Sequence, residues 1–514
     1  MSENRTDVVI SGAGPNGLML ACELARAGIR PIVLERLAGP SGEPKANGLV
    51  GPVARVLDMR GLYTAWGGLS DGPQPMPGFV FGALRMDFTD LDPNPLTGLL
   101  VSQPELIEKL LALAAELEVD IRWGHEVTGL RQDGDDVLVT VTTPDGPLEL
   151  ATRYLVGADG GKSTVRKLTG IEFPGSTNDS HISRIGHVTM PDELRTADGG
   201  IEIPGAGRFQ PAHNRVERGM FIFAQMPTGT LMGVMEHGAE PVDEQAPMDF
   251  QELRDAIERV LGVPVPIEPP TGPGPFALRR IVGQNTRVAQ EYRVGNIFLI
   301  GDAAHVHSAI GGPGLNLGLQ DAFNLGWKLA AQLNGWAPDG LLDTYQAERR
   351  RSAERTAMQS LSQSVLVSPG PEITALRQLF GELLRNPDNV AYIANLMAGA
   401  DIRYDTGDEH RVSGYLVPDF RLDTGQRVAE LLHSARPVLL NLTGEPWSEH
   451  LDGWTDRIDL VNAISPDAPA AALLIRPDGY VAWATDSPVH PDDPGLRAAL
   501  NRWFGPARSL APVR

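Results

Sequence analysis

The sequence predicts an α/β protein: a dinucleotide-binding domain with parallel strands, a second domain inserted into it on an antiparallel sheet, and a small α/β domain at the end. Three observations carry this. Residues 7–37 read strand, glycine turn, helix, strand. Residues 176–274 alternate short strand-like runs around one helix. Two later apolar strands, Tyr154–Val156 and Asn296–Ile300, each run into a turn that carries an aspartate.

The first unit opens on Val8-Val9-Ile10 and turns through Gly12-Ala13-Gly14-Pro15-Asn16-Gly17. Gly12 permits the tight turn, Gly14 lets backbone approach a pyrophosphate, and Gly17 lets the helix pack closely on the strand, so that the first helical amides face the anion. Leu18, Cys22 and Ala25 recur at helical spacing on the buried side. The second strand then delivers Glu35, 18 residues after Gly17, at the spacing of a carboxylate that holds a ribose diol. A glycine turn used only for packing is the alternative, and it leaves that acidic partner unexplained.

The 514 residues, 42% apolar and 21% charged, suffice for two or three domains with their own cores. The 44 basic and 65 acidic side chains leave a net charge of −21, which repels phosphate backbones and anionic membranes, so neither nucleic acid nor membrane is expected as a partner. The single cysteine, Cys22, excludes an intramolecular disulfide and a cysteine metal cage, fits a reducing cytoplasm, and reads as core filler. The start, Met1–Asp7, lacks signal architecture and no segment is long and apolar enough to span a bilayer, so a cytoplasmic location is expected.

Past Glu35 a Gly-, Pro- and Ser-rich loop spans 38–51, and a helix is expected over Pro52–Met59, ended by Gly61. Residues 70–95, dense in Gly and Pro around a strand-like Gly78–Phe81, read as an excursion from the nucleotide domain. The chain returns with an amphipathic helix, Glu105–Glu118, whose Leu106, Leu110, Leu113 and Leu117 form one stripe. Strands at 120–123, 126–131, 137–142 and 148–150 follow as a meander. The runs Gly219–Gln225 and Thr230–Glu236 and the helix Asp249–Val260 suit an antiparallel sheet with one partly exposed face. Helices are expected at Leu319–Asn334 and Leu341–Met358, the charge run Glu348-Arg349-Arg350-Arg351 forming a solvated face of the latter. The expected divisions are 1–75, 98–175 and 275–400 for the nucleotide domain, 76–97 and 176–274 for the inserted domain, and 401–514 for the third.

Two further motifs decide between dinucleotides. Ala158-Asp159-Gly160-Gly161-Lys162-Ser163 joins a strand to a basic helix, and alone it would read as a capped helix start. Ile300-Gly301-Asp302-Ala303-Ala304-His305 delivers a second aspartate at the carboxyl end of a strand, where ligands sit in open α/β sheets. In this order and at these separations, the glycine fingerprint, Asp159-Gly160 and Gly301-Asp302 resemble the three motifs of the class A FAD-dependent aromatic hydroxylases, the p-hydroxybenzoate hydroxylase-like fold. The run from Gly311-Gly312-Pro313-Gly314-Leu315-Asn316 to Trp327-Lys328-Leu329 is similar to the branch of bacterial polyketide and antibiotic hydroxylases that includes rifampicin monooxygenase. The likeness covers residues 6–360 and continues into the tail at Arg476-Pro477-Asp478-Gly479-Tyr480.

The resemblance implies a Rossmann-like FAD-binding domain of glutathione-reductase type, an inserted substrate-binding domain, and a thioredoxin-like C-terminal domain that lacks Cys-x-x-Cys and so has no redox work. It implies that Glu35 holds the adenosine ribose, Gln103 reaches the ribityl and phosphate region, and Asp302 bonds the ribityl chain. The backbone of Gly314, Leu315 and Asn316 would meet the flavin pyrimidine ring, where the dipole of the following helix favours the anionic reduced flavin. The resemblance also implies that Asp159 and Gly160 serve both cofactor and reductant binding. Gly12, Gly14, Pro15, Asn16, Gly17, Arg36, Lys45, Val127 and Pro313 complete the implied cofactor contacts. His305 and His307 read first as hydrogen-bonded structural histidines and second as proton carriers, and no metal is expected because no carboxylate or cysteine joins them at ligand spacing. The chain departs from its relatives in three places. Lys45 replaces the usual arginine, keeping the charge but losing the planar fork, and Ser308-Ala309 and Pro313 replace a usual proline and glutamine beside the flavin's reactive face.

The reaction so implied is a monooxygenation in which NADPH or NADH reduces FAD, O2 forms a flavin C4a-hydroperoxide, and its distal oxygen passes to an electron-rich, polyketide-type aromatic ring. No separate nicotinamide domain is expected, and the sequence names no particular catalytic side chain. Met220, Phe221, Phe223 and Met232 offer apolar surface for a substrate pocket, although core packing is the commoner use of such residues. Two rivals stand beside hydroxylation: Baeyer–Villiger oxygenation of a polyketide ketone, and a non-catalytic flavin-binding partner in a biosynthetic assembly. Monomer and dimer are both compatible with the sequence.

Overall fold

The structure, a computed structural model, describes residues 5–43, 48–226, 229–238, 242–243, 246–272, 274, 276–308, 310–447, 451, 453–488, 490 and 492–508. Lys45 and Ala309 lie outside the described residues.

Strand β1 (Arg5–Ser11) leads through the glycine turn into α1 (Pro15–Arg26) and β2 (Ile32–Glu35), which runs parallel to β1 with Val9 opposite Ile32. Cys22 is fully buried in α1, and burial pushes its thiol up to about 12, which makes it inert filler. The hairpin β3 (Gly78–Phe81) and β4 (Leu84–Asp87) leaves the sheet and buries Phe81 and Met86 against Leu366 and Ile393. Helix α2 (Gln103–Glu116) begins two residues before the expected start, because Ser102 Oγ accepts from the Glu105 amide and Pro104 suits the first turn. β5 (Asp120–Trp123) then pairs parallel with β2.

β6 (Glu126–Asp133), β7 (Asp136–Thr143) and β8 (Gly146–Gly157) form the expected antiparallel meander. β8 is far longer than 148–150, since its second half also runs parallel to β1, from Arg5 opposite Ala151 to Ser11 opposite Gly157. One strand thus serves both layers.

The second sheet holds β9 (Gly175–Val188), β10 (Ala212–Val216), β11 (Gly219–Met226) and β12 (Gly229–His237), with α3 (Phe250–Leu261) packed on one face. β13 (Leu278–Val288) lies past residue 274, the expected end of the inserted segment, yet it pairs along β9 from Gly175 to Gly186. β14 (Ile297–Leu299) returns the chain to the parallel sheet beside β8, and β15 (His305–Val306) adds to β13, giving the order β10-β11-β12-β9-β13-β15.

Helix α4 (Pro313–Leu333) starts six residues before the expected Leu319, because Gly312 takes the left-handed conformation (φ +64°) and Pro313 occupies the first helical position. α5 (Asp343–Val367) continues nine residues past Met358. Only the second half of its charge run meets solvent, Arg350 in part and Arg351 fully: Glu348 is 5% and Arg349 1% exposed, because α4 and the C-terminal sheet cover them and supply partners of opposite charge. α6 (Pro371–Leu383) and α7 (Pro387–Ala398) lead to a sheet of β16 (Val438–Asn441), β17 (Asp459–Asn462), β18 (Ala472–Ile475) and β19 (Val481–Thr485), in the order β17-β16-β18-β19. α8 (Pro494–Phe504) packs Trp503 and Phe504 with Trp327 of α4.

Candidate active site

Ser11 is paired with both Gly157 and Leu34, and Gly157 with Leu299, so the turns that follow β1, β8 and β14 emerge side by side with the end of β2. β1 has β8 on one side and β2 on the other. The chain departs in opposite senses there, which opens a crevice at the carboxyl edge.

The three fingerprint glycines divide their work. Gly12 has φ +111°, donates its amide to Leu34 O at 2.7 Å, and would place a Cβ 2.4 Å from Ala158 O. At Gly17 a Cβ would meet Gly12 O at 2.0 Å. These two are required by packing. Gly14, which precedes α1 with Pro15 after it, has nothing within 4 Å of a Cβ, so its backbone faces open space. Asn16 turns the other way, since a Cβ on Gly301 or Gly318 would sit 2.0 or 2.3 Å from its Nδ2; it locks α1 against α4 and the Asp302 turn.

Glu35 is held at the end of β2 by the amides of Ala13 (2.9 Å, to Oε2) and Leu37 (3.0 Å, to Oε1). Arg36 beside it is exposed, Gln103 is half-buried at the first position of α2, and Val127 puts its side chain into the core, leaving only backbone for a ligand. Asp159 caps the helix Thr164–Leu168, with Oδ2 accepting from Thr164 N at 2.7 Å and Val165 N at 3.1 Å. Its Oδ1 is buried without a hydrogen-bond partner among the described residues, and Gly160 next to it (φ +80°) has open space at its Cβ position.

Asp302 is exposed on a single 3-10 turn, Gly301–Ala303, and its Oδ1 would lie 3.8 Å from a Cβ on Gly314. It therefore stands beside the start of α4, where Pro313 has no amide hydrogen and the amides of Gly314 and Leu315 belong to the unsatisfied first turn. Asn316 is buried and pins this turn: its Oδ1 accepts from Val50 N at 2.8 Å and its Nδ2 donates to Gly312 O at 2.9 Å. Space of about 660 Å³ opens beside the same turn, lined by Gly311, Pro313, Asn316, Gln320, Arg355 and Gln359 among others.

Sequence reasoning missed the residues that hold these turns together. Arg166 donates to Ala303 O and Gly161 O, each at 2.8 Å, with its guanidinium 3.8 Å above the Phe173 ring, and so ties the Asp159 turn to the Asp302 turn. Asp321, fully buried in α4, accepts from Gly301 N at 3.0 Å, His305 Nε2 at 2.7 Å and Arg349 Nε at 2.7 Å. Burial alone would raise its pKa, but His305 and Arg349 outweigh it and hold the carboxylate below its ordinary range. His305 is thereby structural. His307, 5.4 Å from it ring to ring, has both nitrogens buried without a partner among the described residues, and burial with the nearby His305 pushes it down to about 3, so it is neutral.

Of the four apolar residues that offered surface for a pocket or for the core, Phe221, Phe223 and Met232 pack in the core against Leu253, Ala256 and Ile257 of α3. Strand alternation turns only Met220 the other way, where it meets Met235, Ile310 and Val367 beside the Gly311-Gly312 turn. That opposite face packs against the segment that precedes α4 and the end of α5. Among the described residues, no group of three His, Cys, Asp or Glu is placed to hold a metal, and no helix is long and apolar enough to cross a membrane.

The crevice suits FAD on the chemistry of its donors. Open backbone at Gly14, Gly160 and Gly312, first-turn amides of two helices, a fixed carboxylate at Glu35 and an unpaired Asp159 oxygen lie along one edge. Comparison with known proteins agrees. An FAD binding domain family matches residues 5–360, and the aromatic-ring hydroxylase C-terminal family matches residues 410–507. The chain belongs to the FAD-dependent aromatic-ring hydroxylases, a class of flavoprotein monooxygenases.

Among individual relatives, it is 41% identical over 520 residues to a 12-dehydrotetracycline 5-monooxygenase/anhydrotetracycline 6-monooxygenase of Streptomyces rimosus, covering 98% of this chain and 99% of that one. It is 36% identical to a rifampicin monooxygenase of Streptomyces venezuelae, over 98% and 99% of the two chains. The solved structure of the OxyS anhydrotetracycline hydroxylase from Streptomyces rimosus superposes with a TM-score of 0.84 at 39% identity, covering 98% of this chain and 100% of that one.

Proposed function

We propose that this protein uses NADPH or NADH and O2 to place one oxygen atom on the ring of an aromatic, polyketide-type substrate. The observation that carries this is the alignment of Glu35, the Asp159 turn and the Asp302–Gly314 turn along one crevice, with the Met220–Met235 face of the second sheet packed on Ile310 just before the Gly311-Gly312 turn. Bound FAD supplies hydride acceptance and oxygen activation.

The chain's own residues bind, orient and exclude water. The amides at the start of α1 hold the pyrophosphate, Glu35 the adenosine ribose, and Asp302 with Gln103 the ribityl chain. The first turn of α4 presents Gly314 and Leu315 amides, and its positive dipole end favours negative charge on the ring that meets it. Met220, Met235, Ile310 and Val367 keep water from the reacting faces. Relatives whose names carry anhydrotetracycline and rifampicin support an aromatic antibiotic-like substrate. The C-terminal sheet is read as a thioredoxin-like domain without redox work, in a cytoplasmic protein whose partners are small molecules.

The test is direct. Purified protein should be yellow, oxidise NADH or NADPH faster when an aromatic polyketide is added, and return a product heavier by one oxygen. Colourless protein that takes up no FAD overturns the proposal, and a lactone in place of a phenol or quinone replaces hydroxylation by Baeyer–Villiger insertion.

A further inference from the structure

Helix α6 buries none of its thirteen residues, although it carries a row of leucines. Its inner side is fastened by Phe380, stacked on Phe81 at 5.9 Å, and by Arg377, whose guanidinium donates to Leu366 O at 2.7 Å and Ala83 O at 3.1 Å. Its outer side carries Leu376, Leu379 and Leu383 at i, i+3 and i+7. α5 repeats that spacing with Met358, Leu361 and Val365, on the side turned away from Gln363 and Val367, which meet Gly311 and Met220. All six side chains are between 39% and 55% exposed. Leu366 of α5 and Phe380 of α6 share the core around Phe81 and Ile393, and only residues 368–370 separate the helices, so the outer stripes belong to one surface.

Single exposed leucines need no explanation, but two stripes at the spacing of a coiled-coil seam, side by side, do. At roughly 80 Å² apiece the six expose about 500 Å², the upper end for the largest apolar patch on a monomer. Two copies joined there hide about 1,000 Å², enough for a specific contact before any polar rim is added.

Charge says what covers it. Residues 356–371 contain no Asp, Glu, Lys or Arg, in a chain that is 21% charged with a net charge of −21. Two copies repel each other over most of their surface, and not here. The flanks complement each other when inverted: Glu372 precedes the leucines, Arg385 follows them, both are exposed, and neither has an ion-pair partner among the described residues. An antiparallel pairing about Leu379 sets Leu376 against Leu383 of the second copy and Glu372 against its Arg385, and symmetry makes each contact twice.

We infer that the outer faces of α5 and α6 form the interface of a homodimer, closed by a two-fold axis that passes beside Leu379.

The experiment measures the mass of FAD-loaded protein by light scattering after size-exclusion chromatography at about 10 μM, a concentration that populates any interface of micromolar or better affinity. Wild type should have twice the mass of one chain, and Leu379→Glu/Leu383→Glu the mass of one with flavin content unchanged. Glu372→Arg and Arg385→Glu should each weaken association about tenfold, and the two together should restore it. Because a charged variant can misfold, Leu379→Cys gives an independent readout: a short bismaleimide should link two copies, while wild type, whose one cysteine, Cys22, is fully buried, stays unlinked. A wild type with the mass of one chain, a dimer that persists in Leu379→Glu/Leu383→Glu, or a Leu379→Cys that stays unlinked overturns the inference. A one-chain wild type that sediments with phosphatidylcholine vesicles overturns it too, and gives the surface to a lipid.

Discussion

Gly12 and Gly14 sit two residues apart and are glycine for different reasons, which a pair of substitutions would separate. In Gly12→Ala the new methyl meets Ala158 O at 2.4 Å on a backbone with φ +111°, so the fold should lose about 1–3 kcal/mol and the protein should be isolated with little FAD. In Gly14→Ala nothing stands within 4 Å, so the melting temperature of the FAD-free protein should match wild type while FAD affinity falls. Thermal unfolding and flavin titration on the two variants check both outcomes. The role of Gly12 was legible in sequence because a tight turn is a local demand. Arg166 was not, because its bond to Ala303 O spans 137 residues and no local pattern announces it.

At the scale of elements, the first turn of α4 depends on Asp321, one of the carboxylates that sequence patterning passed over as an ordinary helix residue. Asp321→Asn would leave Arg349, 1% exposed, facing a weaker partner and should cost about 3–5 kcal/mol, read by denaturant unfolding. FAD affinity should fall too, since the Gly301 amide is held by the same carboxylate. The segment just before α4 adds a pH dependence. His307 is held neutral at about 3 against an ordinary 6.5, so its contribution to stability is full above about pH 6.5 and is lost as the pH falls toward 3. His307→Leu should therefore lose less melting temperature than wild type between pH 7 and pH 5. Helix starts were legible only to within a few residues. Ser102 and Gly312 decide them through a cap and a left-handed turn, signals that weigh little beside the apolar stripe until coordinates show the hydrogen bonds.

Across the whole molecule, a buried ionic cluster fastens the C-terminal sheet to the nucleotide-binding part. Arg476 reaches Glu348 at 2.6 and 2.9 Å, Lys328 reaches it at 2.8 Å, and Arg60, paired with Glu23 at 2.7 Å, donates to Pro477 O at 2.8 Å. Burial raises the Glu348 pKa, but Arg476 and Lys328 outweigh it and bring it down to about 2 from an ordinary 4.5. The folded value lies below the unfolded one, so this stabilisation is complete above about pH 4.5 and is lost as the pH falls toward 2. Arg476→Met should lower stability by about 3–5 kcal/mol, and Glu348→Gln should flatten the acid limb of the melting curve. This sheet covers α4 and α5 and fixes the helix whose first turn meets the cofactor crevice.

By itself the sequence determined the dinucleotide fingerprint, the carboxylates at Glu35, Asp159 and Asp302, the alternation of the second sheet and the family to which the chain belongs. All of these are written in short spacings, because turns, caps and strand faces answer to neighbours within a few residues. Only the tertiary structure decided that Glu348 and Arg349 are buried, that Met220 alone of its four faces away from α3, and that His181 meets His237. Those outcomes depend on which surfaces cover which, and burial sets whether a charge is solvated or paired and whether a histidine keeps a partner.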